Sequence, residues 1–150
     1  MANNIKPANP IEIDQTDIKI ILSLRKNSRA STRDIAAETK IRPSTVHKRL
    51  TELLNKRVIE RFTIKTNNTF LHEDFIVFMF LSTSADLPSS FFSDLHIKEA
   101  FGVTGEYDLL MKMKFSDINE FNNYIIQLRK NKSITKTITY IATITLKEDI

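Results

Sequence analysis

A chain of 150 residues, 41% hydrophobic and 27% charged, has the composition of one domain or two small ones with packed cores, and this excludes wholesale disorder. The lack of cysteine excludes disulfides, thiol catalysis and cysteine-bound metals, and the longest apolar run, Phe75–Leu81, is far too short to span a bilayer. The net charge of +4 is uneven: fourteen Lys/Arg against seven Asp/Glu give +7 in residues 1–66, and eight against eleven give −3 in residues 67–150, so only the first half is suited to a polyanion.

Residues 1–12 hold two prolines, three asparagines and one cation, Lys6, which reads as a flexible leader. They lack the basic-then-apolar layout of a signal peptide, so no membrane association and a cytoplasmic location are expected. Asp14 suits the N-cap of a first helix with Asp17 near its positive end, and Ile18, Ile21, Leu22 and Leu24 follow at helical spacing. Ser31-Thr32-Arg33-Asp34 is a capping-box-like start to a short second helix ending by Thr39.

The segment Arg42–Leu53 predicts a third helix, with Pro43 in its first turn. Val46, Leu50 and Leu53 form one narrow apolar stripe. Ser44, Thr45, His47, Lys48 and Thr51 point elsewhere, and no acid interrupts them before Glu52. Such a face is either plain solvated surface or one that the DNA major groove accepts. Two short helices separated by a tight turn make a helix-turn-helix. Val58, Phe62 and Ile64 then alternate with Ile59, Arg61, Thr63 and Lys65, which predicts strand. A strand pair here would be a wing, placing Lys56, Arg57 and Arg61 toward phosphates. Thr45, His47, Lys48 and Thr51 are the candidates for base edges; Arg42, Ser44, Arg49, Arg57 and Arg61 are those for phosphates. Arg49 has a structural alternative, an ion pair with Glu52 or Glu60.

A domain at 13–64 is therefore followed by a linker at 65–72 and a second domain at 73–150. Phe75–Leu81 reads as a strand covered on both faces, or on one face with a subunit contact on the other. Pro88 starts a short helix holding Phe91, Phe92 and Leu95. Ile97–Val103 and Tyr107–Phe115 read as strands around a glycine-bearing turn. Ser116 caps a helix with Ile118, Phe121, Ile125 and Leu128 on one face, and Thr137–Leu146 is a final strand. The order βαββαβ predicts an α+β chain: a winged helix-turn-helix, then a ferredoxin-like four-stranded sheet with helices on one face. The bare face calls for a second copy.

In this order and spacing the chain resembles the Lrp/AsnC (feast/famine) family of transcription regulators. The residues that carry the resemblance are Asp14–Asp17 with Ile21-Leu22, Arg29–Ser31 with Asp34–Ala36, Ser44–Val46 with Arg49-Leu50, Leu53 with Val58-Ile59, Gly105–Asp108, and Ile134 with Thr137 and Thr139. The resemblance implies a homodimer on double-stranded DNA, built through the second (RAM) domain and often assembled into tetramers or octamers. It also implies an amino-acid effector at the turn Gly102, Val103, Thr104, Gly105, Glu106, Tyr107, Asp108, with Asp108 or Glu106 facing its ammonium. An ordinary strand–strand turn accounts for the same two glycines, the only ones in the chain. The chain departs from the family pattern at Lys40 and Arg57, where Gly is usual, at Arg42 in place of a Ser N-cap, and at Leu54 in place of an acid. Lys40 and Arg57 are thus expected in left-handed conformations.

An enzyme is the first rival. His47, His72 and His96 stand in unrelated contexts, and no HExxH pattern, phosphate-cradling loop or nucleophile elbow is present, so no catalytic residue, metal or cofactor is expected. The second rival is a nucleoid-organising protein that binds DNA with little sequence preference and no effector.

Overall fold

The structure is a computed structural model that describes residues 12–148; the leader reading of residues 1–11 lies outside them. The described chain divides into two compact units at Lys65/Thr66.

The first unit is three helices, α1 (Gln15–Lys26), α2 (Thr32–Thr39) and α3 (Pro43–Asn55). Asp14 caps α1 reciprocally: its carboxylate accepts from the N–H groups of Thr16 and Asp17 at 2.7 and 2.9 Å, and Asp17 accepts from the Asp14 N–H. Ser31 and Asp34 repeat the arrangement at α2. The core is Ile20, Leu24, Ile35, Ala36, Val46 and Leu53. Ile18 and Leu22, expected inside, are 38% and 50% exposed. The face of α1 that meets α2 and α3 is instead the i, i+4 pair Ile20 and Leu24, with Ser23 buried beside it and donating to Glu38.

The expected wing strand is absent among the described residues: no residue between Lys56 and Asn68 joins a ladder. Alternation specifies a strand only when a partner edge exists, and this unit has no other strand to provide one. The segment is tied instead through Ser28 Oγ, which donates to the Thr63 carbonyl at 3.0 Å. Phe62 and Ile64 are left 49% and 68% exposed.

The second unit is an antiparallel sheet of β1 (Phe75–Thr83), β2 (Ile97–Gly102), β3 (Leu109–Phe115) and β4 (Ile134–Ile141) in the order β2-β3-β1-β4. Val77, Met79, Leu81, Met111, Met113 and Phe115 project to one face, where Phe121 and Leu128 of α4 (Ile118–Leu128) cover them. The expected first helix of this unit is a single 3-10 turn, Ser89–Ser93, with Pro88 as its N-cap; Leu95 lies outside it and is 85% exposed. It stops where Asp94 Oδ1 accepts the His96 N–H at 2.9 Å and turns the chain into β2. α4 is capped by Asp117, one residue later than expected. Ser116 instead donates its N–H and hydroxyl to Glu120.

The last strand spans Ile134–Ile141, in contrast to the expected Thr137–Leu146. Val77 pairs with Ile141, and the Ala142 N–H reaches the Ile76 carbonyl, so β1 runs out one residue later and leaves no edge for 143–146. Ile144 and Leu146 are accordingly 70% and 89% exposed. The chain then brings Glu148 against Lys112 and Lys114 at 2.6 and 3.0 Å, with the Asn68 amide at 3.1 Å. Lys112 alternates away from the covered face, and so do Phe78, paired with it across β1, and Tyr140, paired with Phe78 across β4. Beyond the Glu148 contact this second face carries exposed apolar groups: Phe78, Phe101 and Tyr140 are 38%, 52% and 56% exposed.

Candidate DNA interface and the turn 102–108

Helix α3 separates its residues as its periodicity predicts. Val46 is fully buried and Leu53 nearly so, which fixes the rotation of the helix about its axis. Ser44, His47, Lys48 and Thr51 are left exposed and Thr45 half-buried. Thr51 Oγ1 donates back to the His47 carbonyl at 3.0 Å, which orients its methyl and oxygen on the helix surface. Lys48 sits 4.0 Å from Glu52, one turn along, and is otherwise extended into solvent. Arg42 occupies the N-cap with no side-chain cap, and Pro43 supplies the first turn. The first-turn N–H groups of α3 thus remain available to an anion.

The remaining basic candidates divide. Arg57 and Arg61 are exposed and carry no ion pair with a described residue. Arg49 is engaged, but not by Glu52 or Glu60. It lies 2.8 Å from Asp14 and 3.3 Å from the buried Asp17, tying α3 to the N-terminus of α1. The Asp17 N–H, then that of Thr16, with Arg49, hold the Asp14 carboxyl below its ordinary range. Sequence distance hid this contact, because the partners are more than thirty residues apart and on different helices.

At the turn, Gly105 has φ +130°, a conformation that requires glycine, whereas Gly102 has neither a positive φ nor a neighbour within reach of an added Cβ. The expectation of unusual backbone thus holds at one glycine of the two. Asp108 is a structural hub: its carboxylate accepts the Thr83 N–H at 2.6 Å, its N–H reaches Leu81 and its carbonyl accepts from Val103. The Glu106 carbonyl accepts from Ser82, and its carboxylate pairs with Lys136, whose ammonium lies 5.0 Å from the Tyr107 ring centroid. Tyr107 packs against Phe80 with the rings tilted and their centroids 5.6 Å apart. Val103 is half-buried and Thr104 exposed. The structure thus adds Lys136, a residue of β4 that nothing in the local sequence links to the turn. A separate cavity of about 360 Å³ lies between the 3-10 turn and α4, lined among others by Phe91, Asp94, Tyr124 and Asn131; no residue of the turn 102–108 borders it. Burial, with the nearby Asp94 charge, pushes the Tyr124 hydroxyl up to about 12.

A three-helix unit presenting a polar-basic helix, followed by a ferredoxin-like sheet, defines a DNA-binding regulator of the winged-helix type with a second domain for ligand or partner. Residues 13–60 match the winged helix-turn-helix DNA-binding profile and residues 95–150 the Lrp/AsnC ligand-binding domain. An HTH-type transcriptional regulator of Pyrococcus furiosus is 29% identical over 146 residues, covering 92% of this chain and 97% of that one. The HTH-type transcriptional regulator FL11 of Pyrococcus abyssi is 28% identical over 142 residues, covering 92% and 94%. Among solved structures, AsnC of Escherichia coli superposes with a TM-score of 0.82 at 23% identity, covering 93% of this chain and 98% of that one. A Neisseria meningitidis regulator solved with L-methionine gives 0.84 at 21%, covering 92% and 94%. The chain belongs to the Lrp/AsnC family of DNA-binding transcription regulators. No helix of the described residues is long and apolar enough to cross a membrane.

Proposed function

We propose that this regulator binds specific duplex DNA as a homodimer, or as a tetramer or octamer assembled from such dimers, in the cytoplasm on the chromosome. Helix α3 enters the major groove. Thr45, His47, Lys48 and Thr51 meet base edges, while Arg42, Ser44, Arg57 and Arg61 meet phosphates; Arg49 acts one step removed, by fixing α3 on α1. The observation that carries this reading is the division of α3 into a buried stripe, Val46 and Leu53, and an exposed polar face without a carboxylate before Glu52. The turn 102–108 takes a free amino acid, an assignment supported by the ligand-binding-domain match and by the methionine bound to the Neisseria relative.

The test of DNA recognition is fluorescence anisotropy against the protein's own upstream region and a random duplex at a stated salt concentration. Lys48→Ala should weaken the specific duplex about tenfold, in keeping with a lost base contact of about 1–3 kcal/mol, and leave the random duplex little changed. Equal affinity of the wild type for both duplexes would favour a nucleoid organiser. The effector is tested by thermal shift with each of the twenty amino acids, since a ligand that binds only the native state raises Tm. Asp108→Asn, which keeps an acceptor for the Thr83 N–H, should abolish the shift. No shift of the wild type at millimolar concentration would remove the effector from this proposal.

A further inference from the structure

We propose that Lys40 and Arg57 are a pair of phosphate clamps bracketing α3, kept in left-handed backbone positions where glycine would give a more stable fold. The inference rests on the DNA-binding reading and deepens it. Lys40 caps the C-terminus of α2 with φ 60° and ψ 26°, and Arg57 follows α3 with φ 55°. Both positions end a helix by reversing the chain. At the second, the Arg57 N–H bonds the Leu54 carbonyl and the Val58 N–H bonds that of Leu53, at 3.0 and 2.9 Å. A β carbon is disfavoured in this conformation, so glycine is the residue such helix ends ordinarily use.

Neither side chain repays that strain within the fold. Both are exposed, and neither forms an ion pair or side-chain hydrogen bond with a described residue. Three other cations of the same unit are engaged, Lys26 with Glu38, Arg49 with Asp14 and Asp17, and Lys48 near Glu52, whereas Arg61 is as free as Lys40 and Arg57. The two strained positions thus hold two free positive charges, one just before α3 and one just after it. The thirteen residues of α3 separate them by roughly 20 Å. Cations at the two ends of an exposed polar helix are suited to the phosphates flanking a groove that the helix enters, and such contacts are independent of sequence. The third left-handed non-glycine residue, His72 with φ 54°, belongs to the other unit and serves as a control for strain alone.

The experiment uses the full chain with four substitutions: Lys40→Gly, Arg57→Gly, Lys40→Asn, in which asparagine tolerates the left-handed backbone without the charge, and His72→Gly. Tm is measured, and affinity is measured against salt on the protein's own upstream duplex and on a random duplex. All three glycine variants should raise Tm. Lys40→Gly, Arg57→Gly and Lys40→Asn should each lower the slope of log affinity on log salt by about one, on both duplexes alike. His72→Gly should leave the slope unchanged. An unchanged slope in either Lys40→Gly or Arg57→Gly, with the wild type still steeply salt-dependent, overturns the clamp while the α3 reading stands. A fall in Tm in those two variants overturns the strain argument and with it the proposal. A wild type whose binding ignores salt overturns both this inference and the DNA reading beneath it.

Discussion

Arg49 shows why the surroundings of a basic side chain matter more than its place beside a basic helix face. Its guanidinium is shared between Asp14 and Asp17, and Asp17 is only 4% exposed. Removing the arginine leaves a buried carboxylate held by the Asp14 N–H. Breaking a fully buried pair costs about 3–5 kcal/mol; Arg49 is a third exposed, so Arg49→Met should destabilise by about 1–2 kcal/mol in a urea titration. Because the guanidinium is already engaged, the salt slope of DNA binding should not change, in contrast to Arg61→Ala, which should lower it by about one. A lowered slope in Arg49→Met, with stability intact, would return Arg49 to the phosphate contacts.

At the scale of elements, what the sequence conveyed depended on whether the determining interaction was local. The caps of α1 and α2 and the burial stripe of α3 are written within a few residues of one another, and the structure contains them as expected. The left-handed positions at Lys40 and Arg57 were legible because the family usually has glycine there. The wing strand and the far end of β4 were misread for one reason: alternation at 58–65 and 142–146 specifies a pleat but not the neighbouring edge. The ties of the turn 102–108 to Thr83 and Lys136 were hidden because they cross strands. The start of α4 offers a pH test of such a tie. Glu120 accepts from the Ser116 N–H and hydroxyl and faces His96, and these contacts draw its carboxyl down to about 2. At the sheet, Lys112, with Lys114 and Asn68, draws Glu148 down to about 2 as well. A carboxylate whose folded value lies below its ordinary value near 4.5 stabilises the fold fully above that value. The contribution is lost as pH falls toward 2. Tm should therefore drop steeply between pH 5 and about 2, and less steeply in Glu120→Gln and Glu148→Gln. Parallel Tm-against-pH curves for wild type and both variants would contradict these assignments.

For the whole molecule, the decisive feature is the second face of the sheet. One face is closed by α4, but on the other Phe78, Phe101 and Tyr140 remain substantially exposed, beside the half-buried Phe80, Leu110 and Ile138. Phe80 and Tyr140 already pack edge to face, with centroids 6.1 Å apart, so the patch is ordered and continuous across β1 and β4. A contiguous aromatic patch on an antiparallel sheet is a surface that association hides, and a two-fold axis lets the same patch serve both partners. The Glu148 contacts with Lys112 and Lys114 set polar groups at one end of it, leaving the aromatic end for the second copy. The full chain should therefore run as a dimer or a multiple of it in size-exclusion chromatography with light scattering. The double substitution Phe78→Glu and Tyr140→Glu should yield folded monomers, because two carboxylates per copy would be desolvated against each other at the axis. Since a dimer engages two half-sites at once, the monomeric variant should lose at least tenfold in affinity for the upstream duplex while its α3 is unaltered. If the double variant remains a dimer with unchanged affinity, the subunits associate elsewhere, and the exposed aromatics of this face need another explanation.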